Sequence, residues 1–213
     1  TLKGNFTQLK GAANNFAAYG TKVVFAGEGL QEISFESPEN SYFRYPVFKN
    51  QEIAVKSAIS NWILNEDFVI HDEGYPLEIV GDMDVNGYQL TIERNVIIRK
   101  CGTFNINGGS CKIKGDLLQE SGTMQLGGGT LEVEGDYRIQ KYNTKTSSYV
   151  ECDAVLRMEG EKEKVTVGGD FYTQSVRETS YDKNRYAAGM LTLKGNFTQL
   201  KGAANNFAAY GTK

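Results

Sequence analysis

The chain has 213 residues, 40% of them apolar, which is enough for a real core and too many for a disordered chain. Its 23 Lys and Arg against 26 Asp and Glu leave a net charge of −3, which argues against a nucleic-acid coat, and no apolar run reaches membrane-spanning length. A single His (His71) works against His-rich metal sites and most hydrolase triads, while 24 Gly, 12 Tyr, 11 Phe and only 3 Pro suit strands punctuated by glycine turns.

Residues 1–22 read TLKGNFTQLKGAANNFAAYGTK, and residues 192–213 read the same at every position. The period is therefore 191 residues. Such identity points to recent duplication, or to one repeating unit cut with an overlap. In either case Val-Val-Phe is expected after Lys213, as Val23, Val24 and Phe25 follow Lys22, and Leu191 supplies the residue expected before Thr1. The absence of an initiator Met or a leader carries no weight in such a segment. Residues 1–213 thus read as one continuous unit: one 191-residue repeat plus a 22-residue overlap.

In chain order, residues 12–19 (AANNFAAY) are the best helix candidate, weakened by the central Asn14 and Asn15. Residues 37–41 (SPENS) form a turn. Residues 42–75 are less regular, yet Ile53-Ala-Val and Trp62-Ile-Leu read as further coils with longer corners. A short repeat then recurs: LEIVGDM from Leu77, CKIKGDLLQ from Cys111, LEVEGDYRIQ from Leu131, VTVGGDFYTQ from Val165 and LTLKGNFTQ from Leu191. A degenerate copy, LTIERNV from Leu90, carries Arg94 where glycine is expected. The glycines are spaced 34 (Gly81 to Gly115), 20 (to Gly135), 34 (to Gly169) and 26 (to Gly195) residues apart. A basic turn of about 20 residues with inserted loops accounts for these intervals.

Each copy has a direct physical meaning. Leu131 and Val133 alternate with Glu132 and Glu134, the pattern of a half-buried strand. Gly135 permits a tight corner, Asp136 stabilises it, and Tyr137 returns to the interior. One such coil cannot bury its own apolar face, whereas a stack can. The expected fold is all-β: a parallel β-solenoid (β-helix), right-handed by the usual crossover preference, with a 4.8 Å step and a rise on the order of 40 Å per period. Leu77, Cys111, Leu131, Val165 and Leu191 are expected to form one inward ladder. Met83, Leu117, Tyr137, Phe171 and Phe197 are expected to form another. Residues 141–148 (KYNTKTSS) and 175–185 (SVRETSYDKNR) read as surface loops.

Residues that could carry chemistry are few. Asp116 and Asp136 should lie close on successive coils, where a bound calcium, offset rotamers or solvation must relieve their repulsion. The calcium nonapeptide GGxGxDxUx is missing, and Asn196 occupies the same place in another copy, so the reading is turn-forming aspartates. Cys111 takes an apolar strand position and reads as a buried free thiol; Cys101 lies half a coil away, which disfavours a disulfide between them. Cys152 is left over, and no CxxC suggests zinc. His71, beside Asp72 and Glu73, could be a carboxylate-oriented general base but reads as a solvated turn histidine, and the four residues from Glu161 to Lys164 (EKEK) read as a solvated hairpin or corner. The glycines at 127, 128 and 129 lack the Gly-Lys-Ser/Thr ending of a phosphate cradle. Tyr42, Phe43, Tyr45 and Phe48 could stack on sugars, but Phe43 and Tyr45 share a face by alternation and read as core. No catalytic residue, metal or cofactor is assigned.

Gly20, Thr21, Lys22 and Val24, followed by Gln31, Ile33, Ser34, Phe35, Ser37 and Pro38 between GDF-type coils, resemble a known arrangement. It is similar to the repetitive β-solenoid regions of giant secreted or cell-surface proteins of Gram-positive bacteria. The resemblance covers most of the period and is weakest from Ile53 to Tyr75. It implies an extracellular scaffold or adhesive stalk and brings no catalytic residues with it. The expected function is a structural repeat of a surface fibre, stalk or filament, partnered end to end by neighbouring repeats. The alternative is an adhesin or carbohydrate-binding solenoid that contacts cell-wall or host glycans. A polysaccharide-degrading β-helix enzyme is the weakest reading, and no activity is assigned.

Overall fold

The computed structural model describes residues 1–11, 16–50, 52–177, 186–203 and 207–208. Among these residues every regular element is a β-strand and there is no helix. The strands stack in parallel as a β-solenoid of about eight turns, with roughly 22 residues per turn.

Three faces enclose the core. The first stacks Phe68–Ile70, Gln89–Ile92, Ser110–Ile113, Thr130–Val133, Lys164–Val167 and Met190–Leu193. The second carries the Leu77 end of Leu77–Asp84, then Val96–Ile98, Leu117–Gln119, Tyr137–Ile139, Phe171–Thr173 and Phe197–Gln199. The third holds the Met83 end of that same bent strand, then Thr103–Asn105, Thr123–Gln125 and Val155–Arg157. Towards the N-terminus, Phe6–Gln8, Gln31–Phe35 and Ile53–Val55 form a further parallel set, and Ala17–Phe25 pairs with Tyr42–Phe48.

The inward ladders follow the sequence repeat with two exceptions. Cys111, Leu131, Val165 and Leu191 stack in register as expected, with Leu90 and Phe68 continuing the column. Leu77 does not belong to it. It pairs with Val96 and heads the second column, through Leu117, Tyr137, Phe171 and Phe197. Met83 does not belong to that second column either; it stacks between Trp62 and Phe104 on the third face. The cause is that one dipeptide marks two different corners. Gly115-Asp116, Gly135-Asp136 and Gly169-Asp170 turn the chain from the first face to the second. Gly81-Asp82, with Gly81 at φ +81°, bends it from the second to the third.

The weak helix candidate at residues 12–19 is a strand in its described part, in keeping with the all-β expectation. Residues 12–15 lie outside the described residues, and Ala17 to Tyr19 open the strand Ala17–Phe25. The run continues through the β-branched Val23 and Val24 and hydrogen-bonds to Tyr42–Phe48, so tertiary pairing overrides the local preference of alanine. Residues 141–148 stand off the stack as expected. They belong to an antiparallel hairpin, Lys141–Asn143 with Ser148–Val150, rather than an irregular loop. Of the segment 175–185, residues 178–185 lie outside the described residues; Ser175 is buried, and its hydroxyl donates to the Ala154 carbonyl at 2.6 Å.

Candidate functional surface

The corner aspartates form a ladder that runs along the stack. Asn95 Oδ1 accepts the backbone N–H of Asp116 at 2.8 Å, and Asp116 Oδ1 accepts that of Asp136 at 2.8 Å. Asp136 Oδ1 then accepts from Asp170 at 2.8 Å, and Asp170 Oδ1 from Asn196 at 2.7 Å. Each side chain thus caps the coil above it rather than its own turn. Asn95 accepts in the same way as the aspartates, and so does Asn5, the repeat equivalent of Asn196, from the Glu32 N–H at 3.0 Å, so the hydrogen bond and not the charge is what recurs. The Asn196 N–H and the Tyr172 hydroxyl hold the Asp170 carboxyl below its ordinary range. Its contribution to stability is therefore complete above the unfolded carboxylate pKa and lost as the pH falls through the folded value. Gly115 and Gly135 are required by the same geometry. A Cβ on Gly135 would lie 2.1 Å from Asp116 Oδ1, and one on Gly115 would lie 2.2 Å from Asn95 Oδ1.

Arg94 occupies the glycine position of its copy because the coil beneath it is wider there. Six residues, 71–76, separate Ile70 from Leu77, where three suffice between Ile113 and Leu117. The guanidinium fills the extra space. It donates to the Val55 carbonyl at 2.5 Å and the Lys56 carbonyl at 2.9 Å, and lies 5.4 Å from the Tyr75 ring centre. His71, in that wider corner, does not engage Asp72 or Glu73. Its Nδ1 lies 2.8 Å from Glu93 Oε2 in the next coil, while Glu93 Oε1 binds Lys114 at 2.7 Å. Lys114 first, and then His71, lower the Glu93 carboxyl pKa. The group faces solvent and contributes little to stability.

Two buried polar clusters were not anticipated from the sequence, although Gln119 closes one copy of the short repeat. Glu163, in the stretch that reads as a solvated corner, is only 3% exposed. Its Oε1 accepts the N–H of Gly128 at 2.9 Å and its Oε2 that of Glu159 at 2.7 Å. The glycine-rich turn therefore cradles a carboxylate of its own chain. Gln119, fully buried, donates from Nε2 to the Gly122 and Val155 carbonyls at 3.1 Å each, and its Oε1 accepts from the Tyr137 hydroxyl at 2.6 Å.

All three cysteines are free and buried, Cys111 within the first-face column. Burial pushes the Cys101 and Cys111 thiols up to about 12 and the Cys152 thiol up to about 11. A thiolate is the reactive form. Ellman's reagent is therefore expected to find no thiol in the native protein at pH 8 and three after denaturation, and a native-state thiol signal would contradict this packing. Phe43 and Phe48 are core residues as expected. Tyr45 is only half-buried, because the strand register slips between Ala18 and Lys22 opposite it and breaks the alternation.

A surface that could take a ligand lies where the hairpin overhangs the second face. Ile97 and Leu118 floor an open groove of about 500 Å³, and Tyr142, Tyr149, Lys141 and Glu120 contribute to its walls. The two tyrosine rings meet edge-on at 5.3 Å. Arg138 approaches the rings of Tyr149, at 4.7 Å, and Tyr172, at 3.6 Å, and pairs with Asp136. An apolar floor with aromatic and charged edges can stack on a sugar ring and hydrogen-bond its hydroxyls. The sequence signal for it was slight: two tyrosines flanking a polar turn in an inserted segment. Among the described residues no cluster of three or more His, Cys, Asp or Glu could hold a metal ion, and no helix is long and apolar enough to cross a membrane.

The fold defines a class, the parallel β-solenoid built from tandem coils. Comparison with protein-family models, with curated proteins and with solved structures finds no match.

Proposed function

We propose that this chain is a structural repeat unit of an extracellular surface fibre, stalk or filament, of the kind made by giant surface proteins of Gram-positive bacteria. The supporting observation is that the 191-residue period spans whole coils. Phe6–Gln8 and Phe197–Gln199 are the same residues of the repeat and adopt the same strand. Phe6 meets Phe16 at 5.0 Å and 59°, while their equivalents Phe197 and Phe207 meet at 4.8 Å and 60°. A period that returns to the same point of the coil continues its ladders into the next unit without a joint. A two-period chain is accordingly expected to be a single straight rod, longer by roughly 40 Å than one period and of unchanged cross-section by small-angle scattering. Two bodies separated by a hinge would overturn the proposal, as would antibody labelling confined to the cell interior.

A second reading is favoured by the groove under the hairpin. There Tyr142, Tyr149 and Lys141 offer a contact surface for cell-wall or host glycans, with Arg138 packed against the Tyr149 ring. A glycan array probed with wild type and Tyr149→Ala separates the two readings: selective binding lost in the variant supports adhesion, and an array with no signal supports the structural role alone.

A further inference from the structure

Residues 71–76 widen the corner between the first and second faces, and a cavity of about 310 Å³ lies there beside Tyr75. Arg94, only 4% exposed, lines it. The guanidinium is incompletely satisfied. Its Nη2 donates to two carbonyls and its Nη1 reaches the Tyr75 carbonyl only at 3.5 Å, while its Nε has no hydrogen-bond partner among the described residues. No carboxylate among them pairs with it, because the nearby ones are committed elsewhere. Glu73 binds Lys56 at 2.8 Å, Glu93 binds Lys114 and His71, and Asp72 Oδ1 accepts the Gly74 N–H at 2.9 Å. A buried guanidinium without a counter-ion is costly, and a carboxylate is the group whose two oxygens match its fork.

Three further features narrow the ligand. Asp72 and Glu93 balance Arg94 and Lys114 in the lining, so no net positive charge draws a phosphate or sulfate. The Tyr75 ring, its centre 5.4 Å from the guanidinium, is 41% exposed and offers the apolar surface on which a pyranose ring packs. Asp72 and Asn95 each use Oδ1 on the backbone, which leaves Asp72 Oδ2 to accept from a hydroxyl and Asn95 Nδ2 to donate to one. The volume is at the small end for a ligand site, with room for one ring rather than a chain. We propose that this corner binds a single acidic sugar unit, a hexuronate, with its carboxylate on Arg94, its ring against Tyr75 and its hydroxyls on Asp72 and Asn95. The site shares no lining residue with the groove under the hairpin and does not depend on it.

The full 213-residue chain tests this by titration with glucuronate, glucose and acetate, followed through the backbone amide NMR signals of Gly74, Asn95 and Gly115. Glucuronate is expected to bind about tenfold more tightly than either control, since glucose lacks the carboxylate and acetate lacks the ring. Arg94→Lys keeps the charge and loses the planar fork, and should bring glucuronate down to the affinity of glucose. Circular dichroism checks that this variant keeps the β fold. Tyr75→Ala leaves the Tyr75 backbone carbonyl in place, so it serves even if Arg94→Lys unfolds. It should weaken glucuronate and glucose alike, by about tenfold, and preserve the preference between them. Equal affinity for glucuronate and glucose in the wild type would overturn the proposal. So would acetate binding as tightly as glucuronate, or glucuronate binding that Tyr75→Ala leaves intact. Tyr149→Ala, which probes the groove under the hairpin, is expected to change nothing here, so either site can fail alone.

Discussion

Gly122→Ala is expected to destabilise the solenoid by about 3 kcal/mol or more, which for a chain of this length lowers the melting temperature by roughly 10 °C. Two independent causes combine. Gly122 has φ +77°, a conformation that costs a residue with a side chain about 1–3 kcal/mol. Its added Cβ would also lie 2.2 Å from the Cys101 carbonyl oxygen of the coil beneath, and backbone cannot swing aside as a side-chain tip can. Gly128→Ala isolates the first cause. Gly128 has φ +85°, but nothing lies within 4 Å of its added Cβ. The second variant should therefore lose only the conformational part. Equal losses in the two variants would mean that close packing between coils at Gly122 contributes nothing.

Gln119→Leu is expected to cost about 3–5 kcal/mol although leucine suits a solenoid interior, because buried polar groups lose their partners. The Tyr137 hydroxyl loses its acceptor and the Val155 carbonyl a donor, both in a fully enclosed site. Val155 enters the third face 32 residues after Thr123, with which it pairs across the hairpin insertion. The amide of Gln119 thus ties the chain's return after that excursion to the coil below. Adding Tyr137→Phe should recover part of the loss, since the orphaned hydroxyl is then gone. Thermal denaturation of the three variants measures this. A double variant no more stable than Gln119→Leu would place the cost elsewhere.

The sequence made the coil legible wherever the glycine corner followed the first-face strand. Cys111, Leu131, Val165 and Leu191 lie in one column, across turns of 20, 34 and 26 residues, because alternation and the glycine corner recur together. Where the same dipeptide sits at another corner, the motif misleads. Leu77 and Met83 were one face out, because Gly81-Asp82 copies the spelling of a corner that it does not form. The polar contacts were the least legible part. Glu163 and Gln119 look like surface residues in composition, and each has, beside a local partner, one from a segment 35 or 36 residues away. Such distances exceed any local window, and only the stack brings them together. His71 shows the same limit: its carboxylate partner is Glu93, 22 residues on, and not the two acids beside it.

In a fibre of the proposed kind, the return of residues 6 and 197 to one point of the coil would also separate the length of the polymer from its stability. Genetic recombination between identical stretches would then delete or add a whole 191-residue unit, and the inward columns would meet their own continuation across the splice. Copy number can then vary between relatives in steps of one unit, each step changing reach and leaving the core, the corner hydrogen bonds and the surface pattern as they were. An insertion of any other size would have to be absorbed as a hairpin standing off the stack, as residues 141–150 are.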